Sequence, residues 1–183
     1  MKLVILGRDG VINETREGNL RSPADWQPIP GSLEAIASLN QAGYRVVIAT
    51  NQPGLARGLF DIHALNAIHR RLHDALERIG GHVDAIFFSP NRLRDNCDCR
   101  LPKPGLLRQI AERFYCDLAG VPVIGDSRRH LQAATAVGAR PILVLTGLGA
   151  ETREQLGEPG RVAVYPDLAR VVGEILAKES PVA

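Results

Sequence analysis

The chain has 183 residues, 45% hydrophobic and 23% charged, with 22 Lys and Arg against 20 Asp and Glu. That is enough chain to bury a core unaided, and a formal charge of +2 gives no electrostatic case for nucleic acid or an anionic membrane as partner. Aromatics at 4% leave little for base stacking, and three cysteines, with Cys97 and Cys99 separated by a single residue, make no disulfide framework. They read as thiols of a reducing compartment or as the remains of a metal site. One domain over 1–183 is expected. The apolar start Met1–Leu6 is too short for a signal peptide or a membrane span, so the cytoplasm is the expected location.

Short apolar runs alternate with helically periodic stretches. The first strand is predicted at Leu3–Leu6, followed by an irregular stretch, Val11–Gly31, onto which Trp26 should pack. Ser32 is the predicted cap of a helix over Leu33–Ala42, with Ala35, Ile36 and Leu39 on one stripe and Gly43 as the stop. A strand at Arg45–Ala49 precedes a long helix capped by Asp61 and running to about Ile79, with Leu65, Ile68, Leu72 and Leu76 inward. Strands follow at Ala85–Phe88, Val121–Ile124, Ile142–Leu145 and Val162–Tyr165. Helices follow at Leu106–Tyr115, Ser127–Val137, Thr152–Leu156 and Asp167–Lys178. The strands are continuous apolar runs, as expected when both faces are covered. The order implies an α/β fold: three layers, a doubly wound, mostly parallel sheet, and no large cap domain. The long loop Ser89–Gly105 is the sort of segment that carries function or organises a metal.

In such folds ligands bind beyond the C-terminal strand ends. Polar clusters fall there: Gly7-Arg8-Asp9-Gly10-Val11-Ile12-Asn13, Thr50-Asn51-Gln52-Pro53-Gly54, Arg100-Leu101-Pro102-Lys103-Pro104-Gly105 and Gly125-Asp126-Ser127. Each alone is common turn chemistry. Their order, with Gly54-Leu55-Ala56-Arg57-Gly58, Cys97-Asp98-Cys99-Arg100 and Leu131-Gln132-Ala133-Ala134, resembles the haloacid dehalogenase superfamily. Within it the chain is similar to the D-glycero-D-manno-heptose 1,7-bisphosphate phosphatases, with histidinol-phosphate phosphatases as kin. The resemblance runs from Leu3 to about Gly149.

The resemblance implies magnesium-dependent hydrolysis of a sugar phosphomonoester through a phosphoaspartyl intermediate, in the carbohydrate metabolism that supplies lipopolysaccharide heptose. It assigns acid/base work to Asp9, phosphoryl binding to Thr50, and magnesium to Asp9 and Asp126. It points to Asn51, Gln52, Arg57, Arg100 and Lys103 as substrate-binding residues. A carboxylate attacking an anionic phosphate needs cations and N–H donors around it. A phosphorylated small molecule is the expected partner and a monomer the expected state.

The chemical positions depart from that pattern. Gly7 stands where the family carries the nucleophilic Asp. Leu101 stands where it carries the phosphate-binding Lys, and Lys103 is two residues displaced. His130 replaces a further acidic residue. Of the family's Cys-x-His and Cys-x-Cys zinc ligands only Cys97 and Cys99 match, with Ser89-Pro90-Asn91 at the first pair, so zinc is not expected. Magnesium should bind weakly. These substitutions predict a kept fold with impaired chemistry, a pseudoenzyme candidate. The alternatives are direct attack by water, with Asp9 as base, and a non-catalytic interaction protein on the same scaffold. His63, His69, His73 and His130 read as surface or helix residues, and Cys116 as a core or half-buried thiol.

Overall fold

The computed structural model describes residues 1–15, 20–157, 160 and 162–179. Residues 16–19 of the expected Val11–Gly31 loop lie outside them. Strands form at Lys2–Leu6 (β1), Tyr44–Asn51 (β2), Ala85–Ser89 (β3), Pro122–Gly125 (β4), Arg140–Val144 (β5) and Ala163–Tyr165 (β6). Helices form at Ser32–Gln41 (α1), Ile62–Glu77 (α2), Gly105–Phe114 (α3), Arg128–Ala136 (α4), Gly149–Leu156 (α5) and Leu168–Glu179 (α6). The sheet order is β3-β2-β1-β4-β5-β6, with every pairing parallel. The α/β, doubly wound reading therefore holds.

Alternate residues of each strand serve opposite faces, as the pleat requires. Val4, Leu6, Val46 and Ile48 pack with Ile36, Leu39, Ile68, Leu72 and Val171 of α1, α2 and α6. Leu3, Ile5, Val47 and Ala49 pack with Leu106, Ile110 and Ala133 of α3 and α4. Trp26, 2% exposed, seats the first long loop on the α1 side. No helix is long and apolar enough to cross a membrane among the described residues.

Asp61 caps α2 as expected, accepting the Ala64 N–H at 2.8 Å. Ser32 does not cap α1. Gly31, at φ 81°, takes the cap position, and the Ser32 hydroxyl instead donates to the Ile12 carbonyl at 2.7 Å, tying the first loop to the helix. Gly31 suits the place because a side chain there would be strained. The strand order reverses between β1 and β4, so their C-terminal ends open a crevice where ligands bind in sheets of this kind.

Candidate functional site

The turn after β1 builds the floor. The Arg8 side chain is 0% exposed and grips Asp9, with Nη2 at 2.9 and 3.1 Å from the two carboxylate oxygens and Nε at 3.1 Å. Asn13 Nδ2 at 3.0 Å and Gln52 Nε2 at 2.9 Å complete the ring. Burial pushes the Asp9 carboxyl up, but the Arg8 charge and these hydrogen bonds outweigh it and hold the pKa below the ordinary value. Asp9 is thus an ionised acceptor near neutral pH.

Arg8 Nη1 lies 2.9 Å from His69 Nε2. A guanidinium only donates, so Nε2 accepts and the ring is neutral with its proton on Nδ1. Burial, then the Arg8 charge and that of His73, press the His69 pKa down to about 3, against the pull of Asp9. His69 is therefore a buried prop of Arg8 on α2, in keeping with the helix place expected of it, while His63 and His73 are exposed. Between pH 3 and about 6.5 the unfolded chain protonates this histidine and the folded chain does not, so stability falls as pH drops through that window. His69→Gln, whose amide oxygen can still accept from Arg8, should flatten the fall by up to about 1.4 kcal/mol per pH unit. Urea midpoints at pH 4.5 and 6.5 for both chains measure it.

The end of β2 supplies Thr50, 3% exposed, and Asn51. The Asn51 side chain bonds the Leu101 backbone twice, Nδ2 to O at 2.9 Å and N to Oδ1 at 3.0 Å, and so fixes the third cluster against β2. Gln52 is fully buried and holds Asp9 and Thr50, so it positions rather than binds substrate. Leu101, 1% exposed, sits in the apolar layer with Leu106 and Ile5. Lys103 does not stand in for a missing cation: its Nζ is bonded to Asn96, at 2.6 Å from the side-chain oxygen.

Past β4, Asp126 is 4% exposed. Its Oδ2 accepts the Leu148 N–H at 3.0 Å, and its backbone oxygen accepts the Thr152 hydroxyl at 2.9 Å. Gly10, at φ 77°, and Gly147, at φ 57°, leave room for this carboxylate, since a side-chain carbon at either would strike it. Burial raises the Asp126 pKa, offset in part by His130 and the Leu148 N–H. The Thr146–Gly149 turn is thus part of the site, though it carries no recognisable motif. Ser127 precedes α4 in the cap position, but its hydroxyl bonds His130 Nδ1 at 3.0 Å instead of capping.

These groups close around a cavity of about 150 Å³ whose lining includes Asp9, Thr50, Asn51, Arg100, Asp126, Ser127, Arg129 and His130. Arg100 donates to the Asn91 carbonyl at 3.1 Å, yet its buried Nε has no hydrogen-bond partner. Its pKa is lowered by burial and then by the charges of Arg129 and Arg57. Arg100 and Arg129 at the cavity and Arg57 nearby repel one another, a surplus that a polyanion would relieve. Arg129 escaped the sequence reading, whereas His130 was legible only as the residue in an acidic position. Arg57 belongs to the cluster, though it does not line the cavity.

Among the described residues no group of three or more His, Cys, Asp or Glu side chains could hold a metal ion. Both Asp9 oxygens are taken by Arg8, Asn13 and Gln52, which leaves Asp126 as the carboxylate with capacity for a cation. Such a set fits a magnesium ion shared with a bound phosphate. Cys97 and Cys99, expected as thiols, are bonded to each other as a disulfide, with Ser89 and Asn91 against the Cys99 sulfur.

Two family models match the chain, polynucleotide kinase 3 phosphatase over residues 4–127 and HAD-hydrolase-like over 98–171. The D-glycero-β-D-manno-heptose-1,7-bisphosphate 7-phosphatase of Bordetella bronchiseptica is 54% identical over 176 residues, covering 96% of this chain and 98% of that one. The Pseudomonas aeruginosa protein of the same name is 47% identical over 176 residues, covering 95% and 97%. The crystal structure of the B. bronchiseptica D,D-heptose 1,7-bisphosphate phosphatase complexed with magnesium and phosphate superposes with a TM-score of 0.95 at 53% identity, covering 97% of this chain and 99% of that one. A sheet reversing at the Asp9–Asp126 crevice, with relatives this similar over nearly their whole length, places the chain in the heptose 1,7-bisphosphate phosphatase family of the haloacid dehalogenase superfamily.

Proposed function

We propose that this chain binds a phosphorylated sugar of the heptose bisphosphate class and does not turn it over efficiently. The observation that carries the reading is the cavity itself. Thr50, Asn51, Ser127 and two guanidiniums, Arg100 and Arg129, face a space whose strand-end nucleophile position is Gly7. Hydroxyls and amides take the phosphoryl oxygens, and Arg100 and Arg129 supply positive charge. Gly7 has no atom to form a phosphoenzyme bond, and Asp9 is held ionised. Asp126 would hold a magnesium ion arriving with the phosphate, where the ion neutralises phosphoryl charge.

Isothermal titration with heptose 1,7-bisphosphate and with a monophosphate tests this. One-to-one binding is expected, weakened at least about tenfold by Arg100→Ala, since a hydrogen bond to a charged group contributes about 1.5–3 kcal/mol. Failure to bind any phosphorylated sugar would remove the reading.

A further inference from the structure

We propose that His130 is the residue that keeps this pocket a binding site: its imidazole fills the volume beside Gly7 from which a side chain at residue 7, or a water, would reach a bound phosphoryl group. The inference rests on the function proposed above and adds why hydrolysis stays suppressed even by the uncatalysed nucleophile, water.

The packing is specific. A side-chain carbon at residue 7 would lie 2.9 Å from His130 Nε2, 3.2 Å from Cε1 and 3.1 Å from Val11 Cγ2. Contacts of that kind require something to move. A side-chain carbon at Gly125 would strike the same histidine, 2.6 Å from Cγ. Neither glycine has a positive φ, so the backbone does not demand them there. What the two share is the ring between them.

The ring is held at both ends. Nε2 lies 3.2 Å from the Ala49 carbonyl, which can only accept, so Nε2 carries the proton. Nδ1 then accepts the Ser127 hydroxyl at 3.0 Å. Moving the ring breaks two hydrogen bonds at once. The same tautomer argues against His130 as a nucleophile, because its Nε2–H points at backbone and its one lone pair is committed to Ser127. Burial presses the ring towards its neutral form, against the pull of Asp126, consistent with that arrangement. Ser127 and the imidazole edge still line the cavity, so the ring borders the ligand space directly.

The test has two arms, each using the full chain. Melting temperatures are measured for Gly7→Ala, His130→Ala and the double variant. Gly7→Ala should lower Tm by about 3–10 °C in the natural chain and hardly at all beside His130→Ala. Additive shifts would overturn the packing claim. In the second arm His130→Ala is given p-nitrophenyl phosphate. A water oxygen bonds phosphorus, the ester P–O bond breaks, p-nitrophenolate leaves as the anion and the water proton goes to solvent. Release at least tenfold above the natural chain is expected, and release no faster would overturn the claim that the imidazole excludes water. His130→Asn, smaller and still polar, takes the same arm if His130→Ala does not fold. Titration of each variant with heptose 1,7-bisphosphate keeps the two ideas apart: loss of binding in the natural chain defeats the proposed function, whereas intact binding with additive shifts defeats only the role of His130.

Discussion

Gly7→Asp alone is expected to leave the chain without measurable turnover and to destabilise it by about 1–3 kcal/mol, the usual cost of overpacking. The new side chain would start against the His130 ring, its first carbon 2.9 Å from Nε2. It would also add a negative charge near Asp126, already short of positive partners. Adding Leu101→Lys without more should make matters worse, because Leu101 is 1% exposed and packed among Leu106, Ile5 and Ala49. An ammonium left unpaired there is costly. The three changes together, Gly7→Asp, Leu101→Lys and His130→Asp, restore the family's pattern as mutually supporting charges. The triple variant should exceed the natural chain by at least about 10³ in magnesium-dependent phosphate release, since losing a covalent nucleophile costs roughly 10⁴–10⁶ and losing one electrostatic contact about 10²–10³. Full activity from the single change, read by a phosphate-release assay, would contradict the packing of His130 and of Leu101 alike.

The second large effect is on stability. Arg8→Met should cost about 2–4 kcal/mol, somewhat less than the 3–5 typical of breaking a fully buried pair, because the Asp9 side chain is 28% exposed. The change strips Asp9 of its forked partner and leaves His69 Nε2 facing no donor. Arg8→Lys keeps the charge but cannot reach both Asp9 oxygens and His69 together, so it should fall between the two. Denaturant midpoints for the three chains check the order. A loss under about 0.5 kcal/mol for Arg8→Met would mean that the Arg8–Asp9–His69 network does not anchor the turn after β1.

Much of this architecture is legible in the residues. Continuous apolar strands alternating with amphipathic helices fix the class, and Asp9, Thr50, Asn51, Arg100 and Asp126 do converge on one cavity. His69 was also within reach, for it falls on the Leu65–Leu72–Leu76 stripe of α2, yet a histidine on an apolar face does not announce its partner. Gln52 and Lys103 sit in the right segments, but their side chains turn to Asp9 and Asn96, choices made by local hydrogen bonding that spacing cannot show. The roles of His130 and Leu148 depend on contacts spanning β1, β4 and the Thr146–Gly149 turn. Nothing in one sequence links Gly7, Gly125 and His130 until the sheet order brings β1 beside β4. The sequence also presented Leu101 as the empty place of a pocket cation. The fold shows it as core, with only its backbone reaching the site through Asn51.

The most direct measurement is a phosphorus NMR time course of the natural chain with heptose 1,7-bisphosphate and magnesium. It reports binding through the shift and width of the ligand signals and hydrolysis through the inorganic phosphate signal. Ligand signals perturbed by protein with inorganic phosphate constant over hours are the expected result. Inorganic phosphate growing at many turnovers per minute would contradict the account, because it would mean that a pocket with glycine at residue 7 and an imidazole beside it still performs the family's reaction.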